Sequence, residues 1–167
     1  LGIIDASKTI AMNKGGTMEV AGLRVSMVPA DHSAGDWNAG GETTLYLGEP
    51  AGFVVEMENG FRVYHAGDTA VFGDMALIRE LFHPDLALLP IGGHYTMDPV
   101  GAALAVELLG VSHVAPIHWG TFWPVGLGRV RRDRFEQPGA AFRAAAARLV
   151  PEVQVHLPGL GGSVPID

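Results

Sequence analysis

Residues 49–75, EPAGFVVEMENGFRVYHAGDTAVFGDM, hold two β-rich runs, Gly52 to Met57 and Phe61 to His65, on either side of the turn signal Glu58-Asn59-Gly60. Asn-Gly favours the positive φ angles of tight hairpin turns, so the two runs predict an antiparallel pair. The second run stops abruptly at small residues and a carboxylate, His65-Ala66-Gly67-Asp68-Thr69. Downstream, Leu77, Ile78, Leu81 and Phe82 recur at helical spacing in Met75 to Phe82, behind a candidate cap at Asp74 and before the stop His83-Pro84. A hairpin that feeds a helix already points to a mixed α/β domain.

The flanks extend the pattern. Asp85 to Ile91 (DLALLPI) is almost wholly apolar, as expected of a strand covered on both faces. Asp98 and Pro99 form an N-cap and first-turn pair for a helix to Leu109, closed by Gly110. His113 to His118 predicts another buried strand, Pro138 to Val150 a helix with Phe142, Ala145, Ala146 and Leu149 on one face, and Val153 to Leu157 a final strand. Upstream, Leu23 to Pro29 (LRVSMVP) predicts a strand, and the long connection from Asp31 to Pro50 carries a short one at Thr43 to Leu47. The succession predicts one α/β domain over residues 1–167, a sheet with helices on its outer face.

Composition agrees and narrows the chemistry. With 48% apolar and 17% charged residues in 167, the chain has material for a core, and its 23 glycines foresee many tight turns. A net charge of −7 argues against a general nucleic-acid binder. The absence of cysteine excludes disulfides and thiolate metal sites, so a transition metal would need histidine and carboxylate. The longest uncharged run, Leu108 to Gly128, is broken by Pro116, Pro124 and four glycines and includes His113 and His118, so it reads as strand and site loop instead of a membrane span. No leader pattern opens the sequence, which begins at Leu1; the expectation is a soluble, cytoplasmic, processed or partial chain.

Three segments share a design in which a β-rich run ends at a metal-capable side chain: Val28-Pro29-Ala30-Asp31-His32-Ser33, Tyr64 to Thr69, and Ala115-Pro116-Ile117-His118-Trp119-Gly120. Two imidazoles and a carboxylate from separate strand ends suit zinc, manganese or iron. Other groups have competing readings. His94, between Gly92-Gly93 and Tyr95-Thr96, suits an acid or oxyanion donor, or a structural bond. His65 suits orientation of Asp68 or a backbone bond. His83, His113 and His156 read as structural, and Asp31 and Asp36 as solvated loop carboxylates. Trp119, Phe122 and Trp123 wall a pocket or pack in the core. Arg129, Arg131, Arg132 and Arg134, interrupted by Asp133 and Glu136, read as a solvated face more readily than as a phosphate contact.

Taken together, MNKGGTMEV (12–20), VPADHS (28–33), residues 49–75, DLALLPIGGHYTMDP (85–99), AALAVELLG (102–110) and PIHWGTF (116–122) resemble the later motifs of the metallo-β-lactamase superfamily. The sequence is similar in particular to a family of metal-dependent hydrolases related to L-ascorbate-6-phosphate lactonase. The resemblance implies the C-terminal half of a four-layer αβ/βα sandwich. It places His32 on the third metal motif, Asp68 on the carboxylate that bridges two divalent ions, zinc or manganese, and His118 on the final histidine ligand. It also implies a metal-held hydroxide as nucleophile toward a small ester, lactone, amide or phosphoester, with His94 assisting the leaving group. The family's earliest motif, HxHxDH, has no counterpart here, since no two histidines lie two residues apart. The resemblance therefore covers a half-domain and implies a complementary N-terminal half as partner, and an oligomer. A non-catalytic assembly module retaining the fold, or a nuclease, are the alternative functions.

Overall fold

The computed structural model describes residues 5–119, 133–159 and 161–165. Strands form at β1 (Thr17–Val20), β2 (Leu23–Pro29), β3 (Gly35–Trp37), β4 (Thr44–Tyr46), β5 (Ala51–Glu56) and β6 (Arg62–His65). Helix α1 (Met75–Phe82), strand β7 (Leu86–Pro90), helix α2 (Pro99–Leu109), strand β8 (His113–Ile117), helix α3 (Asp133–Leu149) and strand β9 (Gln154–Val155) follow. Seven strands make one sheet in the order β1-β2-β5-β6-β7-β8-β9, and β3 and β4 pair as a separate ribbon.

The decisive hairpin is present: β5 and β6 run antiparallel, with Val54 opposite Tyr64 and Val55 opposite Val63. Gly60 takes φ +84° in the turn, where the Met57 amide meets the Phe61 carbonyl at 2.8 Å. From β6 onward the pairings with β7, β8 and β9 are parallel, joined through helices. Two strands have no counterpart in the sequence reading, β1 and β3. The turn joining β1 to β2 is Ala21-Gly22, both at positive φ, and alanine there conceals a hairpin that asparagine would advertise.

The register sorts the strand residues between two faces. Ser26, Val54, Tyr64, Ala87 and Val114 line up across the sheet and are all buried. They share one core with Met75 and Ile78 of α1, with Ala102, Ala103, Ala105 and Val106 of α2, and with Phe142, Ala145 and Ala146 of α3. Neighbouring rows present Val25, Val55 and Val63, and Met27, Phe53 and Leu88, to the opposite face. These are only half-buried, and none of them joins the helical core. The sheet is thus apolar on both sides while its helices cover one.

Local chemistry sets the helix ends. The Asp98 carboxylate accepts the Gly101 amide at 2.7 Å, Pro99 starts α2, and Gly110 closes it at φ +60°. Asp98→Ala is expected to cost about 1 kcal/mol, read as a lower denaturant midpoint at unchanged slope. The candidate cap Asp74 behaves differently: it sits in helical φ and ψ and makes no side-chain cap bond. Of the apolar residues at helical spacing in α1, Ile78 is buried and Phe82 packs against the core, while Leu77 and Leu81 are exposed and Met75 is buried. Leu149 is likewise exposed and Val150 takes its inward place. No described helix is long and apolar enough to cross a membrane.

Candidate metal centre

Topology brings the three motif segments to one end of the sheet. Strand β2 is antiparallel to β5, which is antiparallel to β6, so β2 points the same way as the parallel strands β6, β7 and β8. The residues that follow Pro29, His65, Pro90 and Ile117 therefore meet at one edge, where a rigid sheet fixes the loops that carry them.

Within that edge, Asp68 and His118 come together: His118 Nε2 lies 3.8 Å from Asp68 Oδ1, and both side chains reach solvent. That separation is too long for a hydrogen bond and within the span of two metal–ligand bonds of about 2.0–2.2 Å each. The approach depends on unusual backbone. Gly67 turns at φ +69°, where a Cβ would lie 2.7 Å from the Ala51 carbonyl oxygen, and His118 holds φ +51°, a left-handed conformation that costs a non-glycine residue.

His32 occupies the neighbouring loop and is not gathered into the Asp68–His118 pair; among the described residues no three metal-capable side chains cluster. Its ring is nevertheless arranged as a ligand would be. Nδ1 lies 2.7 Å from the Ser33 carbonyl oxygen, which can only accept, so Nδ1 is the donor of this bond and, in the neutral ring, Nε2 is the nitrogen left to bind a metal. Carboxylate and neutral imidazole are donors that suit zinc or manganese, so the residues present fit a divalent ion.

The loops are fastened by a residue the motif reading left without a role, Thr69. Fully buried, its hydroxyl accepts the Asp31 amide at 2.9 Å and donates to the Ala70 carbonyl at 2.8 Å. The Ala70 amide returns to the Asp31 carbonyl at 2.8 Å, and the Thr69 carbonyl accepts the Met97 amide at 3.3 Å. Thr69 thereby ties the His32, Asp68 and His94 loops together. Its place directly after the motif carboxylate was the available signal.

The remaining candidates divide. His94 is exposed on the loop after β7, with its ring edge-on to Tyr95 at a centroid separation of 4.3 Å. His65 Nδ1 accepts the Gly67 amide at 3.1 Å, so it supports the turn bearing Asp68 through the backbone and makes no bond to the carboxylate. His83 caps α1 at φ +45°, a structural position. Asp31 and Asp36 are exposed. Trp119 packs as core: its Nε1–H donates to the Pro116 carbonyl at 3.2 Å, and its ring end lies 2.8 Å from where a Cβ on Gly139 would sit. Phe122, Trp123, Arg129, Arg131, Arg132 and the Arg134 side chain lie outside the described residues. An open hollow lined by Leu23, Met57, Phe61 and Val164 lies by the β5–β6 turn, at the other end of the sheet from the motif loops.

His113 and His156 pair away from the motif edge, Nδ1 to Nε2 at 3.0 Å with stacked rings. Burial first, and then the charge of His113, hold His156 below the ordinary histidine range. The folded state therefore favours neutral His156, and this contribution is complete above the unfolded value of about 6.5 and lost as pH falls through the lower folded value. Lowering pH from 7.5 to 5.5 is expected to reduce the melting temperature more steeply in the wild type than in His156→Gln. Equal slopes would show that the pair carries no such linkage.

The chain is similar to known proteins over most of its length. The β-lactamase superfamily domain model matches residues 3–119. A metal-dependent hydrolase of the UPF0173 group from Rubrobacter xylanophilus is 58% identical over 68% of this chain and 47% of its own length. One from Methanosphaerula palustris is 44% identical over 93% of this chain and 65% of its own. The chain spans about half to two thirds of the length of these curated relatives. Among solved structures, Igni18, a metallo hydrolase from the hyperthermophilic archaeon Ignicoccus hospitalis, superposes with a TM-score of 0.62 at 35% identity, over 89% of this chain and 56% of that one. The metallo-β-lactamase fold protein YhfI from Bacillus subtilis shares the fold at 12% identity and a TM-score of 0.58.

Proposed function

Because the chain belongs to the β-lactamase superfamily domain family and has its metallo-β-lactamase fold, we propose that it forms half of a metal-dependent hydrolase. The observation that carries this reading is the 3.8 Å approach of His118 Nε2 to Asp68 Oδ1 at the edge where four strand ends converge. Its relatives' description as metal-dependent hydrolases supports it. His32, Asp68 and His118 would hold two divalent ions, zinc or manganese, with Asp68 shared because an anion between two dications offsets their repulsion. Such ions, when bound, activate water and stabilise the negative charge that develops on a carbonyl or phosphoryl oxygen.

The chain's own residues prepare the rest. The Ser33 carbonyl keeps the His32 proton on Nδ1, and the Gly67 turn, held by His65, presents Asp68. His94 sits on a loop whose flanking Gly92 and Gly93 leave room for a substrate, and its imidazole would pass a proton to the leaving oxygen or nitrogen. The substrate class is a small ester, lactone, amide or phosphoester. The half-buried face of Val25, Met27, Phe53, Val55, Val63 and Leu88 would receive a complementary segment bearing HxHxDH, which supplies the further ligands.

The test is metal analysis and turnover of the chain joined to such a segment, on ester, lactone, amide and phosphodiester substrates. Bound zinc or manganese and chelator-sensitive hydrolysis are expected. A metal-free protein whose activity ignores chelators would reject the reading.

A further inference from the structure

The two candidate histidine ligands are supported unequally. His32 Nδ1 is held by the Ser33 carbonyl at 2.7 Å, whereas His118 Nδ1 makes no hydrogen bond among the described residues. A neutral imidazole that offers Nε2 to a metal carries its proton on Nδ1, and that proton needs an acceptor to fix the ring. Next to His118 lies an acceptor in search of a donor. Thr96 Oγ1, on the loop between β7 and α2, is sealed from solvent and has no hydrogen-bond partner among the described residues. A buried hydroxyl left so costs stability unless another state of the protein uses it.

Gly92 adjoins both groups, which make no hydrogen bond to each other in this structure. A Cβ placed there would meet the His118 carbonyl oxygen at 2.7 Å, His118 Nδ1 at 3.2 Å and Thr96 Oγ1 at 3.3 Å. The imidazole nitrogen and the hydroxyl thus flank the one position that glycine leaves empty. The Ile91 amide bonds the Ile117 carbonyl at 3.1 Å, so the two loops are registered where they leave the sheet. The left-handed backbone of His118, φ +51°, belongs to the same close approach.

We propose that Thr96 is the positioning residue for His118: on metal binding its hydroxyl oxygen comes to accept the Nδ1 proton and to hold Nε2 toward Asp68 and a divalent ion. The absence of a side chain at Gly92 leaves room for the two groups to meet. The proposal deepens the metal-centre reading and rests on it.

The experiment uses the protein joined to its HxHxDH-bearing segment, with Thr96→Val, Thr96→Ser and His118→Ala variants. Zinc affinity is measured by competition with a chelator, and the His118 tautomer by nitrogen-15 NMR of the ring. Thr96→Val, which keeps the branched shape and removes the acceptor, is expected to weaken zinc binding about 10- to 100-fold and to lose the pure Nδ1–H signature. Thr96→Ser is expected to restore both, while a role in packing alone would favour valine over serine. Unchanged zinc affinity and tautomer in Thr96→Val, with zinc lost in His118→Ala, would overturn the role of Thr96 alone. Unchanged zinc binding in His118→Ala would overturn the metal assignment and this inference with it.

Discussion

Asp68→Asn, in the protein joined to an HxHxDH-bearing segment, is expected to lose its divalent metal and with it nearly all turnover. The substitution keeps shape and replaces an anion with a neutral amide, so two ions that shared a carboxylate would face each other without compensation. The loss of metal affinity should exceed the roughly 10- to 100-fold typical of removing a residue that merely supports a ligand. His94→Ala is the contrasting case. Its ring stands on a separate loop against Tyr95, and its proposed work begins after the ions are seated. That variant should keep its metal and lose turnover by about 10²- to 10⁴-fold, the usual contribution of a positioned acid or base. Metal content by elemental analysis and turnover are measured separately on both variants. Metal retained in Asp68→Asn and lost in His94→Ala would invert the assignment.

The second large effect is expected on mixing. This chain alone should bind zinc or manganese weakly and hydrolyse nothing, because His32, Asp68 and His118 leave each ion short of the four or more ligands it ordinarily takes. It should also associate with itself, since a half-buried apolar sheet face is open to any surface that covers it. Adding the HxHxDH-bearing segment should raise metal affinity by several orders of magnitude and produce activity that a chelator abolishes. Metal should in turn stabilise the pair, because ions that bind only the assembled site are linked to its assembly. Titrations of each ion with and without the segment, followed by light scattering and by turnover, decide the matter. Tight binding of two ions and hydrolysis by the monomeric chain alone would end the proposal.

Elements with strong local chemistry were legible from the residues. The β5–β6 hairpin was announced by Asn59-Gly60, and α2 by Asp98, Pro99 and Gly110, each a backbone requirement that few residues satisfy. Strands β1 and β3 were hidden because they are short, and because the Ala21-Gly22 turn after β1 lacks the asparagine that marks Asn59-Gly60. The inward stripe of α1 was likewise not fixed by the residues alone. Helical spacing shows that Leu77 and Leu81 share a stripe with other apolar residues, but which stripe faces the sheet is settled by packing against α2. For the site, residue types at strand ends pointed to His32, Asp68 and His118, and the structure brings only the last two within 4 Å. Thr69 and Thr96 were invisible as participants, because a hydroxyl acquires its role from the partner it meets in three dimensions.

The switch from antiparallel to parallel pairing at β6 also ranks the parts of the sheet by the chain entropy needed to close them. The β1–β2 and β5–β6 contacts close over tight turns, whereas β6–β7 and β7–β8 each enclose a whole helix. Longer closures cost more and slow the search for native contacts. Asp68 and His118 stand fifty residues apart in sequence, with both crossovers between them. Their meeting is therefore among the most expensive contacts to reach. The hairpins can exist before the ligand pair does, and a nascent chain presents paired strands well before it presents a place for an ion.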